Sequence, residues 1–153
     1  MNTAADISVD EAPDLPIVVG VDGSECSLTA LRWAAEQARV TSSRLRAVMT
    51  WEWPSLYGDP IVWPEDVSIE GNAKDVLRES VEKVLGADRE DDVELAVLEG
   101  HPSVVLRDES ARAVLLVVGS RGHGELAGML LGSVSESLAT HSRCPVVIVR
   151  AAP

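Results

Sequence analysis

Five apolar segments of strand length recur along this chain, and stretches with helical spacing separate them. The segments span residues 17–21, 45–51, 93–98, 114–118 and 146–149. Three of them, at 17–21, 114–118 and 146–149, are continuously apolar and rich in valine, which is typical of strands buried on both faces of a parallel sheet. Segment 93–98 instead alternates in polarity, which indicates a strand near a sheet edge.

The intervals between these strands carry apolar residues at steps of three and four. Helices are predicted at 24–40, 69–86 and 102–111, with a last helix from residue 133. This alternation predicts an α/β sandwich whose parallel strands are joined by right-handed crossovers. Residues 15–153 are predicted to form a single domain. Residues 1–14 carry acidic side chains but no Lys or Arg, and are predicted to be a disordered tail.

The formal net charge of −12 argues against charge-driven binding to nucleic acid or to an anionic membrane. No segment approaches the roughly 18 apolar residues that a membrane span requires. The two cysteines are too few for a disulfide framework, which favours the reducing cytoplasm. Cys26 is predicted to lie in the first turn of a helix, where the dipole lowers the pKa of a thiol.

Two glycine-bearing turns indicate an anion-binding loop. Gly119-Ser120-Arg121-Gly122 follows a strand, and Gly132-Ser133 leads into the last helix, where Ser133 and Glu136 fit a Ser-x-x-Glu capping box. Glycine permits close backbone approach, and the free N–H groups of a helix start favour phosphate. The spacing matches neither the Walker A loop nor the dinucleotide fingerprint. Taken singly, each glycine is more often a structural turn residue.

Asp22-Gly23-Ser24 forms a similar turn at the end of the first strand. If the first and fourth strands are neighbours whose crossovers leave in opposite directions, both turns meet in one crevice. Asp22 then faces the glycine loop, although its side chain is equally suited to capping nearby N–H groups. Arg121 and His123 either reach a phosphate or remain solvated, and the sequence leaves both readings open.

These motifs resemble the universal stress protein family, in its ATP-binding branch. The resemblance runs from Ile17 to Arg150, through the motifs at 19–24, 100–102, 117–122, 132–135 and 144–149. It implies a Rossmann-like, adenine nucleotide alpha hydrolase-like three-layer sandwich with a five-stranded parallel sheet ordered 3-2-1-4-5. That strand order follows from the resemblance and not from the pattern of apolar segments.

By position, the resemblance implies a site for ATP and Mg²⁺. Asp22 would face the ribose and phosphates and hold the magnesium ion, Gly20 would lie close to the nucleotide, and Thr50 would contact adenine through its backbone. Gly119 and Gly122 would line the ribose and phosphate path. The phosphates would be held by backbone N–H and hydroxyl groups of Gly132, Ser133, Val134 and Ser135.

The function implied is that of a cytoplasmic ATP-binding module, regulatory or protective in the stress response, and not an enzyme. Nucleotide hydrolases position a water and often use Lys or Arg against transition-state charge, and the motif loops offer only Arg121. Two alternatives stay open. One is a slow ATPase, or a self-phosphorylating protein with Ser133 or Ser135 as acceptor, and the other is a nucleotide-free interaction protein.

The last apolar segment, Val146, Val147, Ile148 and Val149, is predicted to lie at a sheet edge. An apolar edge strand is a liability unless it is covered or paired, and self-pairing about a two-fold axis would give a homodimer. A second apolar cluster, Trp51, Trp53, Tyr57 and Trp63, lies in the long link after the second strand. It is predicted to pack this link onto the sheet edge, with a lid beside the adenine pocket as the alternative.

Overall fold

The computed structural model describes residues 14–123 and 128–151, and its centre is a five-stranded parallel sheet. In chain order the elements are β1 (Ile17–Gly20), α1 (Glu25–Thr41), β2 (Leu45–Trp51), β3 (Ser55–Leu56), β4 (Asp59–Pro60), α2 (Ile69–Leu85), a 3₁₀ helix (Ala87–Asp92), β5 (Val93–Glu99), α3 (Pro102–Ser110), β6 (Leu115–Gly119), α4 (Ser133–His141) and β7 (Val146–Val149). The sheet runs β5-β2-β1-β6-β7. Counted over its five strands this is the order 3-2-1-4-5, so the predicted topology is confirmed.

Each face of the sheet has its own apolar core. Val19 joins Leu31 of α1 and Leu77 of α2 on one face, whereas Val18 joins Leu116 and Leu138 on the other, where α3 and α4 pack. All these side chains are buried, and burying each contributes about 1.5–3 kcal/mol relative to exposure. Neighbouring residues of a strand point to opposite faces, so the continuously apolar β1 supplies both cores, as predicted.

Local signals set the ends of the helices. Ser24 is the N-cap of α1, and its hydroxyl accepts a hydrogen bond from the N–H of Ser27. Pro102 occupies the first turn of α3, where a missing N–H costs nothing. Gly86 ends α2 at φ +84°, a conformation that side chains disfavour.

The strand bounds differ slightly from prediction. β1 ends at Gly20, one residue early, and β6 is displaced by one residue to Leu115–Gly119 because Val114 lies outside the strand and is half exposed. β5 lies at one edge of the sheet and β7 at the other, as predicted. Of the predicted acidic tail, residues 1–13 lie outside the described residues, and Asp14 forms an ion pair with Arg44.

The prediction that the aromatic link packs onto the sheet edge is wrong for three of its four rings. Trp53, Tyr57 and Trp63 are exposed, and the link contains the antiparallel hairpin β3–β4, which the sequence did not predict. Only Trp51, at the end of β2, is partly buried, and Trp53 stacks edge-on against it with ring centroids 5.3 Å apart. None of the described helices combines the length and apolar character that crossing a membrane requires.

Candidate functional site

A cavity of about 290 Å³ opens at the carboxyl ends of the central strands β1 and β6. α1 leaves β1 toward β2 over one face of the sheet, whereas α4 leaves β6 toward β7 over the other face. The two crossovers therefore diverge here, which creates the crevice where open α/β sheets bind ligands. The volume lies at the small end of the range usual for ligand pockets.

Every residue predicted for the site lines this one cavity. They are Gly20, Asp22, Thr50, Gly119, Gly122, Gly132, Ser133, Val134 and Ser135. The turn after the first strand and the glycine loop after the fourth therefore meet as the sequence predicted. That these residues bind a nucleotide stays a prediction. None of the residues between 51 and 67 whose side chains are described lines the cavity, so the structure does not support the alternative in which the aromatic link is a lid.

The start of α4 presents unpaired backbone donors to the cavity. The first hydrogen bond of the helix runs from the N–H of Glu136 to the carbonyl of Gly132, at 2.9 Å. The N–H groups of Ser133, Val134 and Ser135 precede it and have no partner within the helix. The predicted capping box is wrong, because the N-cap is Gly132 and makes no side-chain cap. A missing cap leaves the donors open to an anion.

Ser135 supports this helix start instead of offering its hydroxyl to a ligand. Its Oγ donates to the carbonyls of Ser120, at 2.8 Å, and Gly132, at 3.0 Å, and its side chain is buried. The N–H of Gly132 also donates to the Ser120 carbonyl, at 2.7 Å. The predicted contact from the Ser135 hydroxyl to phosphate stays a prediction, because in this structure that hydroxyl is bound to backbone carbonyls, whereas Ser133 is exposed and lines the cavity.

Asp22 caps the turn after β1 and also faces the glycine loop. Its Oδ1 accepts a hydrogen bond from the N–H of Ser24, at 2.9 Å, which is the capping role. Its Oδ2 faces the glycine loop, and a Cβ added at Gly122 would lie 2.8 Å from that oxygen. A side chain at 122 would therefore displace the carboxylate or the loop, and Oδ2 accepts no hydrogen bond from the described residues.

His123 connects the two sides of the cavity. Its Nε2 lies 2.7 Å from the backbone carbonyl of Asp22, so Nε2 carries the proton and donates it. This contact joins the glycine loop to the end of β1. The sequence left open whether His123 contacts a phosphate or remains solvated, and the structure shows a third arrangement in which the ring donates to protein backbone. Arg121 lines the cavity and is exposed.

Gly119 is required by packing as well as by its place in the cavity. A Cβ at this position would lie 2.8 Å from both the backbone C and the Cβ of Cys26. The first turn of α1 thus packs directly on the end of β6. Any side chain at 119 would separate the two elements that frame the cavity.

The same contact changes the chemistry of the Cys26 thiol. Burial raises the pKa of Cys26, but hydrogen bonds with the backbone of Ala151 and Arg121 and with the Ser120 hydroxyl oppose it, together with the Arg121 charge. The net result is a pKa below the usual value, in the predicted direction. The contacts responsible come from the far end of the chain, which the sequence did not reveal.

An apolar wall completes the cavity, and sequence reasoning missed it. Val48, Pro102, Leu106 and Val118 line it. A Cβ at Gly20 would lie 2.8 Å from Leu106 Cδ1, so the bare glycine lets α3 approach the sheet. The available signal was the spacing of Pro102 and Leu106, one helical turn apart, whereas the pairing of Gly20 with Val48 is visible only in the structure.

Asp22 is a lone carboxylate and not part of a metal-binding cluster among the described residues. Within residues 14–123 and 128–151, no group of three or more His, Cys, Asp or Glu side chains is arranged to hold a metal. Mg²⁺ is commonly held by one or two carboxylates, with waters and the phosphates of its ligand. Asp22 Oδ2, which accepts no hydrogen bond from the described residues, fits a cation that arrives together with phosphates.

Comparison with known proteins identifies the family. Residues 15–150 match the model of the universal stress protein family. The chain belongs to the universal stress protein family. Among curated members, universal stress protein Rv2623 of Mycobacterium tuberculosis is 38% identical over 144 residues, covering 88% of this chain and 45% of the relative. Rv1996 of the same species is 33% identical over 158 residues, covering 92% and 49%.

This universal stress protein thus spans about half the length of the curated relatives it matches. Among solved structures, a universal stress protein in complex with cAMP superposes with a TM-score of 0.62 at 29% identity. The superposition covers 90% of this chain and 98% of that one. The family and the fold implied by the sequence resemblance are therefore both confirmed.

Proposed function

We propose that this universal stress protein binds ATP with Mg²⁺ at the carboxyl edge of its sheet and acts as a nucleotide-dependent regulatory or protective module in the cytoplasm. The observation that carries the proposal is the pairing of open N–H donors at the start of α4 with the Asp22 carboxylate across one cavity. The donors suit phosphates, and the carboxylate suits their counter-ion. Both described cysteines are free thiols, which suits a reducing compartment.

Each part of the cavity has a task in this proposal. The N–H groups of Ser133, Val134 and Ser135 would hold the phosphates, and the free oxygen of Asp22 would hold the magnesium. The apolar wall around Leu106 and Val48 would receive the base and ribose, with Thr50 at its rim. A related structure at 29% identity contains cAMP, which supports an adenine nucleotide as the ligand class.

Nucleotide released from the purified protein by gentle heating should contain ATP when analysed by mass spectrometry. Calorimetry should show saturable ATP binding that weakens when EDTA removes Mg²⁺, because the phosphate charge then faces Asp22 without a cation. Titrations with cAMP and NAD under the same conditions provide the comparison. Tighter binding of cAMP than of Mg²⁺–ATP would contradict the proposal, and so would an absence of heat at millimolar ATP.

We expect ATP turnover well below the roughly 1–100 s⁻¹ of dedicated phosphoryl-transfer enzymes. Among the described residues that line the cavity, Arg121 is the one basic Lys or Arg side chain. No described pair of carboxylates is placed there to activate a water. Steady-state phosphate release measures the rate. Turnover of several per second that disappears in Asp22→Ala would contradict this expectation and show that the protein is an ATPase.

Self-phosphorylation, the second enzymatic alternative, would fall on Ser133. Its hydroxyl is exposed at the cavity, whereas that of Ser135 is buried and donates to two carbonyls. If the wild type is labelled by incubation with labelled ATP, the Ser133→Ala variant should carry no label. The Ser135→Ala variant should still be labelled. Label confined to Ser135 would contradict this assignment.

We expect His123→Ala to weaken ATP binding about 3–10-fold, because one hydrogen bond contributes about 0.5–1.5 kcal/mol. The lost bond is the one from Nε2 to the Asp22 carbonyl, which joins the two sides of the cavity. Calorimetry gives the affinity. His141→Ala, in the last turn of α4, is the control and should bind as the wild type does. Unchanged affinity in His123→Ala would show that this bond does not organise the site.

A further inference from the structure

An exposed apolar arm projects from the fold between β2 and α2. We define the arm as residues 53–67, which include the hairpin β3–β4. Six of its large apolar side chains are exposed, Tyr57 at 99%, Val62 at 96% and Trp53 at 56% among them. Contiguous exposed apolar surface on a folded domain marks an interaction site more often than a chance arrangement. Aromatic residues are also enriched where proteins bind one another.

The tip of the arm carries backbone strain that the fold itself does not require. Tyr57 has φ +53° and Gly58 has φ +89°, which is the geometry of a tight turn with two positive φ values. Asn or Gly is favoured at the first of these positions, and a tyrosine there costs stability. The phenol ring at this position is almost fully exposed, so it contributes no packing to the fold.

The arm is also acidic. No Lys or Arg occurs between Arg46 and Lys74, whereas Glu52, Asp59, Glu65 and Asp66 all lie within or beside the arm and are exposed. None of these four carboxylates takes part in an ion pair with the described residues. Anionic membranes, and a second copy of a chain with net charge −12, would both be repelled.

We propose that the arm is a docking surface for another protein whose contact face has an apolar centre and a basic rim. Trp53, Tyr57 and Val62 provide the apolar contacts, and the surrounding carboxylates provide charge complementarity. Such charges raise the association rate and select the partner, while the buried aromatic rings supply most of the affinity. This surface is separate from the cavity and does not depend on nucleotide binding there.

A synthetic amphipathic helical peptide of Leu and Lys tests the proposal, with tryptophan fluorescence and calorimetry as readouts. Saturable one-to-one binding with a blue shift is expected at physiological salt, because Trp53 and Trp63 leave water. The triple variant Trp53→Ser, Tyr57→Ser, Val62→Ser should weaken binding at least about tenfold. The fold should be unaffected because these side chains are exposed, and Val40→Ser with Val114→Ser is the control for loss of exposed apolar surface elsewhere.

A second pair of variants separates the arm's charge from the charge of the whole protein. Glu65→Lys with Asp66→Lys should weaken peptide binding about tenfold, whereas Asp88→Lys with Asp91→Lys, an equal charge change at the other end of the sheet, should not. Equal losses in the two pairs would overturn the proposal, as would equal binding of a Leu and Glu peptide. Binding to phosphatidylserine vesicles, or a dimer that the triple variant converts to monomer, would also overturn it.

Discussion

Gly122→Asp will abolish ATP binding and leave the fold intact. The Cβ at this position would lie 2.8 Å from Asp22 Oδ2, so the new carboxylate would face an existing one across the phosphate path. Two neighbouring carboxylates repel each other strongly and also exclude phosphate. We expect the ATP affinity to fall at least about 100-fold, which corresponds to about 2.7 kcal/mol. Calorimetry with Mg²⁺–ATP measures the loss, and circular dichroism checks the fold.

Leu130→Asp is the control for this result. It adds the same charge to the same loop, but Leu130 is exposed and does not line the cavity. We expect its affinity to stay within about threefold of the wild type, since exposed charges are screened by salt. Equal losses in the two variants would show that bulk charge, and not the approach of Gly122 to Asp22, controls binding. Unchanged binding in Gly122→Asp would place the ligand elsewhere.

We expect Ile148→Pro to abolish the proposed homodimer and leave a monomer. The carbonyls of Pro145 and Val149 accept hydrogen bonds from β6, and every second residue of a strand faces the same neighbour. Val147 therefore directs its N–H to β6, whereas Val146 and Ile148 direct theirs to the outer edge. No described strand pairs with that edge. We propose that a second copy of the chain pairs with it, through residues 146–149, about a two-fold axis.

Val147→Pro provides the contrast, because it removes a donor from the ladder within one chain. We expect it to lower the free energy of unfolding by about 1–3 kcal/mol, the cost of leaving a buried carbonyl without its partner. Ile148→Ala keeps the outer N–H and should stay dimeric. Light scattering and thermal melts distinguish the three variants. A wild type that is monomeric at micromolar concentration would contradict the dimer.

Signals carried by neighbouring residues were enough to predict most of the fold. Local backbone preferences explain the apolar strand segments, Pro102 at the start of α3 and Gly86 at the end of α2. Because these preferences act over a few residues, they can be read from the sequence. The residues of the candidate site were predicted through the family resemblance. Gly20, Thr50 and Gly119 lie at or near the carboxyl ends of strands, which meet at one edge of any parallel sheet.

The tertiary structure decided what depends on approach between distant segments. Gly119 is required because α1 packs on it at Cys26, and Gly122 because Asp22 lies opposite, contacts that span most of the chain. The failed capping box at Ser133 has the same origin, since Gly132 is bound through Ser120 and takes the N-cap position itself. The exposure of the arm could not be predicted from the sequence, because aromatic residues are usually buried. In the structure both faces of the sheet are covered by helices, so no face remains for these rings. Sequence therefore determined the five main strands and the helices between them, and close packing determined which side chains the site can accommodate.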